Sequence, residues 1–347
     1  MNILSLFDGS ACTRVALDRL GIPVTKYYAS EIDKYAIKVA MANYPDIVQV
    51  GDVQGISFKE GEIDLLVGGS PCQGFSFAGR QLNFADPRSK LFFEYVRILK
   101  ECKPKYFLLE NVRMKQEYQD VISDALGVKP IAINSRLVSA QNRQRLYWTN
   151  IPDVIQPDDK GIVLQDILED GFTDRDKAHC LDANYFKGGN LKSYFTKHRR
   201  QLVFSDEGLC HVGDADLKGH GYNKRVYHPE GKAPSLCAAS GGNLEPKVLC
   251  GAWRGRYTVD GVRQDHKHKV AGMTEQRLEV RMDGKTNSLT TVQKDNVAVD
   301  ISELQWRKLT PLECERLQTL PDNYTNHVSN TQRYKMLGNG FTVDVIA

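Results

Sequence analysis

Ile63-Asp64-Leu65-Leu66-Val67-Gly68-Gly69-Ser70-Pro71-Cys72-Gln73-Gly74-Phe75-Ser76 is an apolar run that stops at a Gly-Gly-Ser-Pro turn and presents one cysteine. Short, bounded by glycine and rich in branched side chains, Leu65 to Val67 reads as a strand buried on both faces of a parallel sheet. Gly68 and Gly69 permit a turn that a β-carbon would resist, and Pro71 fixes φ immediately before Cys72. Open α/β sheets bind their ligands beyond the carboxyl ends of central strands. A thiol held rigidly at that place reads as a nucleophile.

The flanking sequence builds the sheet to which this strand belongs. Asn2 to Phe7 makes a first buried strand, Asp8-Gly9-Ser10 turns, and Arg14 to Leu20 carries Val15, Ala16, Leu17 and Leu20 at helical spacing until Gly21-Ile22-Pro23. A second strand, Tyr27 to Ser30, ends at Glu31, where a carboxylate commonly accepts hydrogen bonds from ribose hydroxyls. A third ends at Gly51-Asp52-Val53, and Asp52 can accept from an adenine amino group. A turn and two acids at consecutive strand ends describe an adenosine pocket.

Downstream of Cys72, the polar, glycine-containing stretch from Gln73 to Lys90 is too long for a simple connector and reads as a lid. Leu91 to Leu99 forms an amphipathic helix, and Tyr106 to Leu109 the next buried strand, ending at Glu110. A carboxylate there either caps the following helix or does acid chemistry, and Cys72 on a neighbouring strand end favours chemistry. A helix over 114–126, a strand over 131–138 and a last strand, Arg145 to Trp148, complete the block. Arg143 and Arg145 alternate onto one face of an extended stretch, so both guanidinium groups are expected in the same cleft.

Gly69-Ser70-Pro71-Cys72-Gln73, then Glu110-Asn111-Val112, then Gln141-Asn142-Arg143-Gln144-Arg145 resemble the ordered motifs of the C5-cytosine DNA methyltransferase family. The resemblance covers residues 1–150 and 305–347. Phe7-Asp8-Gly9, Ala29-Ser30-Glu31 and Gly51-Asp52-Val53 also resemble the de novo-type animal and the phage or prophage members. Arg333 to Val343, with Asn339, resembles the last family motif. The resemblance implies an α/β fold, a doubly wound and mostly parallel Rossmann-like sheet, with a second, smaller β-rich target-recognition domain. It assigns S-adenosylmethionine to Phe7, Gly9, Glu31, Ile32, Asp52, Val53, Pro71, Leu91 and Asn339, with S-adenosylhomocysteine as product. One departure stands out: Ser10-Ala11-Cys12-Thr13 follow Gly9 where the family has further glycine-type positions.

From Ile151 to about Asp300 buried-strand runs vanish and glycine, histidine and basic residues rise, which predicts a separate domain over 151–300 beside a catalytic domain of 1–150 plus 301–347. Three similar segments near 177, 232 and 285 (Lys177 to Ala183, Lys232 to Ala238 and Lys285 to Thr291) predict equivalent hairpins burying Leu181, Leu236 and Leu289. Basic clusters lie between them, including Trp253-Arg254-Gly255-Arg256-Tyr257. With Gln73 and Arg88 of the lid, Arg254 and Arg256 are the expected DNA contacts. The alternative for any such cluster is a solvated charged face. Cys180, Cys210, His211, Cys237 and Cys250 lack the paired short spacings of a structural zinc site.

Thr310-Pro311-Leu312-Glu313 is a capping box with proline at the first helical position. At 347 residues the chain has room for one large domain and a smaller one, and its eight cysteines include no CxxC pair, so reduced thiols in a cytoplasm are expected. Met1 leads directly into a strand, no apolar run approaches the roughly 20 residues that span a bilayer, and a shortened closing helix is expected. A net charge of +3 does not announce nucleic acid, so any DNA surface must come from uneven distribution.

The chemistry these residues fit is methyl transfer to C5 of a cytosine flipped out of a specific short duplex sequence. Cys72 adds to C6, Glu110 supports N3, Arg143 holds the O2 edge and Arg145 orders Glu110 or the loop. Three alternatives stand beside it: an RNA substrate, an altered adenosylmethionine donating another group, and a catalytically silent DNA-binding relative. The expected partners are double-stranded DNA and, in a restriction-modification host, a cognate endonuclease; no membrane is expected, and the chain is expected to act as a monomer.

Overall fold

The computed structural model describes residues 1–70, 90–189, 191, 194, 197, 199–205 and 306–347, together with the backbone of short strands between 211 and 298. By internal contacts the chain divides into two units: Met1–Ile162 with His179–Gly188 and Thr310–Ala347, and Val163–Ala178 with Gly189–Leu309.

The first unit is built on β1 (Asn2–Leu6), β2 (Lys26–Ser30), β3 (Val48–Gln49), β4 (Leu65–Gly68), β5 (Tyr106–Val112), β6 (Ile131–Asn134), β7 (Gln141–Asn142) and β8 (Gln144–Thr149). Seven of these make one sheet in the order β3-β2-β1-β4-β5-β8-β6. β3 through β5 run parallel, with Leu4 opposite Leu66 and Leu66 opposite Phe107; β8 is antiparallel to both β5 and β6. The strand order reverses at β1/β4, so the ends of these two strands open where a doubly wound sheet takes its ligand.

Helices α1 (Cys12–Arg19), α2 (Lys34–Asn43), α3 (Lys90–Cys102) and α4 (Gln116–Leu126) connect the strands. One core packs Leu4, Leu6 and Leu66 with Phe92, Tyr95 and Ile98 of α3 and Tyr118 and Ile122 of α4; the other packs Ile3, Tyr27, Ala29 and Val67 with Leu17 of α1 and Ala40 of α2. Each fully buried side chain of this size contributes about 1.5–3 kcal/mol of apolar burial. β5 runs on through Val112, three residues beyond the strand end that the sequence indicates, because Glu110 to Val112 pair with Tyr147 to Arg145 of β8. Glu110 is therefore a strand residue held on one side by a neighbouring ladder. The predicted strand over 131–138 stops at Asn134, whose side chain caps a short turn by accepting from the Arg136 N–H.

The helix Pro311–Leu317 carries the capping box: the Thr310 hydroxyl accepts from Glu313 N, and Glu313 Oε2 accepts from Thr310 N. The helix Asn330–Asn339 follows, and Val343–Ile346 adds a single turn. The segment 179–188, which the sequence reading places in the second domain, belongs to the first unit. It does so because Gly338 lets the Asp182–Ala183 backbone approach: a Cβ at 338 would lie 2.3 Å from the Asp182 carbonyl carbon.

The second unit buries Leu164, Ile167, Leu202, Val203, Phe204 and Leu309. Within it Arg175 donates to both carboxylate oxygens of Asp174 and to the Tyr194 hydroxyl, and Gln201 donates to the same hydroxyl. Its described strands pair antiparallel, including Cys250–Arg256 with Glu275–Val280 and with Asn296–Ala298. Arg254 and Arg256 both lie on the strand Cys250–Arg256. Leu181 is buried in the first unit, while the repeat segments near 232 and 285 lie outside the described residues.

Candidate active site

The site has two halves, both at the carboxyl ends of the parallel strands. The first is the turn after β1, where Phe7, Gly9 and Ala11 all take left-handed backbone conformations with φ of 56°, 62° and 62°. For the two non-glycine residues such geometry costs on the order of 1 kcal/mol each and persists only when surroundings impose it. Here Gly9 N donates to Glu31 Oε2 at 2.8 Å, Tyr27 donates to Asp8 Oδ1 at 2.6 Å, and Tyr324 donates to the Ser10 carbonyl at 2.7 Å. Ala11, in the stretch that departs from the glycine pattern, adopts the left-handed conformation all the same. Burial pushes the Asp8 carboxyl up to about 7; nearby Glu31 adds to the rise, while hydroxyl hydrogen bonds oppose it.

Glu31 is held by backbone donors, since its Oε1 also accepts from Ile32 N and Asp33 N at 2.7 and 2.8 Å. Ile32 beside it is 75% exposed, a large apolar side chain left in solvent. Asp52 caps the turn Val53–Gly55 through Gln54 N and is itself exposed, as is Asn339 at the end of its helix. Val53 is buried in the main core, and Phe7 and Leu91 are partly buried against it.

The second half surrounds Glu110, which is 8% exposed. Arg145 Nε lies 2.9 Å from Glu110 Oε1. Burial raises the Glu110 pKa, and the charges of Arg145 and Arg143 pull against that rise. The turn that leads to the nucleophile passes close by: a Cβ at Gly69 would lie 3.3 Å from Glu110 Oε2 and 2.9 Å from the Phe341 ring. A side chain there would have to displace the Phe341 ring. Asn111, next to Glu110, then fastens the turn by donating from Nδ2 to the Ser70 Oγ at 3.2 Å and carbonyl at 3.4 Å. Pro71, Cys72, Gln73 and Arg88 lie outside the described residues.

Arg143 and Arg145 differ in what they hold. Arg143 is 2% exposed. Its Nη1 donates to the carbonyls of Leu181 at 3.0 Å and Gly338 at 3.3 Å, and its Nη2 to that of Gly340 at 2.9 Å. The sequence reading gives Arg143 the O2 edge of a base; in the structure its terminal nitrogens donate to three backbone carbonyls, which joins segment 179–188 to the C-terminal motif. Gln141 works alongside it, donating to Leu317 O at 2.7 Å.

Sequence reasoning passed over four residues of this site: Tyr27 under the first turn, Asn111, Phe341 and Cys180. Asn111 had a signal, because it sits between Glu110 and Val112 in a quoted motif. The others become visible only once distant segments meet. Among the described residues no cluster of side chains suits a metal ion, and no helix is long and apolar enough to cross a membrane.

The chain matches the family model for C-5 cytosine-specific DNA methylase over residues 1–126 and 135–347. It is 30% identical over 419 residues to the orphan methyltransferase M.SPRI of Bacillus phage SPR, covering 100% of this chain and 95% of that protein. It is 27% identical over 367 residues to the type II methyltransferase M.HpaII of Haemophilus parainfluenzae, covering 99% and 86%. Among solved structures, the Entamoeba histolytica methyltransferase EhMeth superposes with a TM-score of 0.60 at 16% identity over 100% of this chain and 95% of that one. A Spodoptera frugiperda DNMT2 variant gives 0.54 at 18% identity over 99% and 97%, so both speak for the fold. With the two-part site on the β1/β4 strand ends and a family match across nearly its whole length, this chain belongs to the C-5 cytosine-specific DNA methylase family.

Proposed function

We propose that this DNA cytosine-5 methyltransferase uses S-adenosylmethionine and a covalent Cys72 adduct to modify a flipped-out cytosine within a short duplex sequence. The observation that carries the reading is the passage of the Gly69–Ser70 turn against Glu110, with Asn111 fastening Ser70 two residues before Cys72. It brings the chain leading to the thiol and the buried carboxyl to one place.

The first turn suits the donor. Glu31, pinned by three N–H groups, keeps lone pairs for ribose hydroxyls; exposed Asp52 suits an adenine amino group, exposed Ile32 an adenine face, and left-handed Gly9 close backbone approach. Phe7, Val53, Pro71, Leu91 and Asn339 complete the set by resemblance. S-adenosylmethionine, when bound, supplies an electrophilic methyl group and leaves as S-adenosylhomocysteine.

Cytosine C5 is too weak a nucleophile to accept that methyl unaided. The Cys72 thiolate adds to C6, and the electron pair of the C5–C6 bond becomes available at C5. Glu110, a carboxyl whose pKa is raised by burial, donates a hydrogen bond or proton to N3 as negative charge develops there. Arg145 keeps Glu110 oriented, and Arg143 holds the carbonyl framework around it. After transfer, a base, for which water is a candidate, takes the C5 proton, the C5–C6 double bond re-forms and the Cys72–C6 bond breaks. The base must leave the stack for this chemistry, at a cost of a few kcal/mol. Gln73, Arg88, Arg254 and Arg256 are assigned to DNA, phosphate contacts setting orientation and groove contacts choosing sequence. The chain acts as a monomer in a bacterial or phage-infected cytoplasm, in host systems beside a cognate endonuclease.

The test uses duplex DNA of mixed sequence, S-adenosylmethionine and nucleoside mass spectrometry with mapping of modified cytosines. 5-Methylcytosine at one short recurring sequence is the expected product. A duplex carrying 5-fluorocytosine at that site should trap a covalent complex, because fluorine cannot leave as a proton, and Cys72→Ala should form none. A trapped complex in Cys72→Ala, or modification of tRNA in place of duplex DNA, overturns the reading.

A further inference from the structure

Cys180 has no place in the chemistry above, yet its sulfur lies 3.6 Å from Arg143 Nη1 and 3.9 Å from Arg145 Nη2. These are hydrogen-bond distances for sulfur. The thiol thus contacts both guanidinium groups of the Gln141–Arg145 motif. Its own position is fixed from three sides: Leu181 O accepts from Arg143, Leu181 N donates to Gln141 Oε1 at 3.4 Å, and the Asp182–Ala183 backbone rests on Gly338. Arg143 is immobilised by its carbonyls. Arg145 is held otherwise: its Nη1 donates to the neighbouring Gln144 carbonyl at 2.9 Å, its Nε faces Glu110, and its Nη2 faces Cys180.

A long side chain on a strand loses substantial rotamer freedom when held in one geometry, so the contacts that fix its guanidinium decide how well an ion pair is ordered. A second contact on the far side of the guanidinium removes that freedom. We infer that Cys180 is a positioning residue for the methyl transfer: its sulfur bridges immobile Arg143 to Arg145 and keeps Arg145 Nε on Glu110. The inference rests on the proposed role of Glu110.

The electrostatics agree with the geometry. The packing around Cys180 works against its thiolate, but the charges of Arg143 and Arg145 outweigh this and lower the thiol pKa, in keeping with a sulfur that faces two cations. Among the described residues, the titratable and charged groups that face Glu110 are Arg145, Arg143 and Tyr147, whose phenol burial and the Glu110 charge keep neutral. Cys180 reaches Glu110 only through the arginines.

The experiment compares single-turnover methyl transfer by the full chain from pH 5.5 to 9 for wild type, Cys180→Ala, Cys180→Ser and Glu110→Gln, with DNA affinity and thermal unfolding measured alongside. The limb of the rate profile that disappears in Glu110→Gln belongs to Glu110. If Cys180 positions Arg145, Cys180→Ala slows transfer by roughly tenfold with DNA affinity within about twofold, and moves that limb to higher pH, because Arg145 no longer holds down the Glu110 pKa. Cys180→Ser, which keeps a shorter neutral acceptor, falls between the two. An unmoved limb overturns the inference while leaving Glu110 in its role. A limb displaced to lower pH also overturns it, since an Arg145 that stays in place once the sulfur is gone pulls no less on Glu110. A limb that persists in Glu110→Gln overturns the role of Glu110 itself, and the inference with it.

Discussion

Arg145 on β8 and Glu110 on β5 face each other at 2.9 Å, with Val112 and Arg145 in register two residues along the same ladder. The pair is nearly closed to solvent, and burial still raises the carboxyl pKa despite the adjacent cation. The strand pairing thus stores a carboxyl that holds its proton more tightly than a free glutamate, beside the turn that leads to Cys72.

That storage has a stability signature. A carboxyl with a raised pKa in the folded state contributes stability that is fully present below the unfolded carboxylate pKa and lost as pH rises through the folded value. Between those limits the native chain binds more protons than the unfolded chain. Urea unfolding of wild type and Glu110→Gln across pH 4–8 should therefore show wild type gaining relative to the variant toward acid, while Glu110→Gln transfers methyl at least about a hundredfold more slowly at pH 7.

Asp8 obeys the same sign. Its carboxyl is pushed up to about 7 by burial, so wild type should lose stability from about pH 4 up to about pH 7 and change little above. Asp8→Asn should flatten that slope, on the order of 1–3 kcal/mol between the two ends. Loosening the Tyr27 contact should also raise the KM for S-adenosylmethionine several-fold, measured by initial rates.

Asn111→Ala removes both hydrogen bonds to Ser70, together with the one that Asn111 Oδ1 accepts from Val112 N. Transfer should slow by about ten- to a hundredfold through misplacement of Cys72, with unchanged far-UV circular dichroism and unchanged DNA affinity. Equal single-turnover rates would show that the Ser70 tether does not govern the thiol.

Gly338→Ala places a methyl group 2.3 Å from the Asp182 carbonyl carbon, backbone against backbone, with no flexible atom to yield. A loss of roughly 3 kcal/mol or more in urea unfolding is expected, together with faster proteolysis within 179–188.

Replacing Arg254 and Arg256 by alanine should weaken DNA binding by a salt-sensitive amount. The slope of log affinity against log salt should shrink by about 2 if each neutralises one phosphate. An unchanged slope would move the contact surface elsewhere.

The parallel sheet was legible because buried strands bounded by glycine write themselves as short branched runs, and Leu65 to Gly68 and Asn2 to Leu6 occupy the expected places. The helix boundary at Thr310 was legible for a local reason also, since a capping box acts within four residues. Glu110 was found but placed at the end of its strand, because pairing with Tyr147 is a long-range contact that extends a strand beyond its apolar run. Arg143 and Arg145 looked equivalent from their alternation. They diverge because three carbonyls from Leu181, Gly338 and Gly340 converge on Arg143 alone.

The sequence by itself determined the family, the order of the sheet-building segments and the identity of the groups able to do chemistry, since motifs, periodicity and caps act over a few residues. Only the tertiary structure decided what each group holds. Segments almost 200 residues apart, such as Arg143 and Gly340, meet through carbonyl hydrogen bonds that carry no side-chain signature. The bridge from Cys180 to Arg145, and through it to Glu110, exists because 179–188 packs on Gly338, a close approach that a sequence records only as one more glycine.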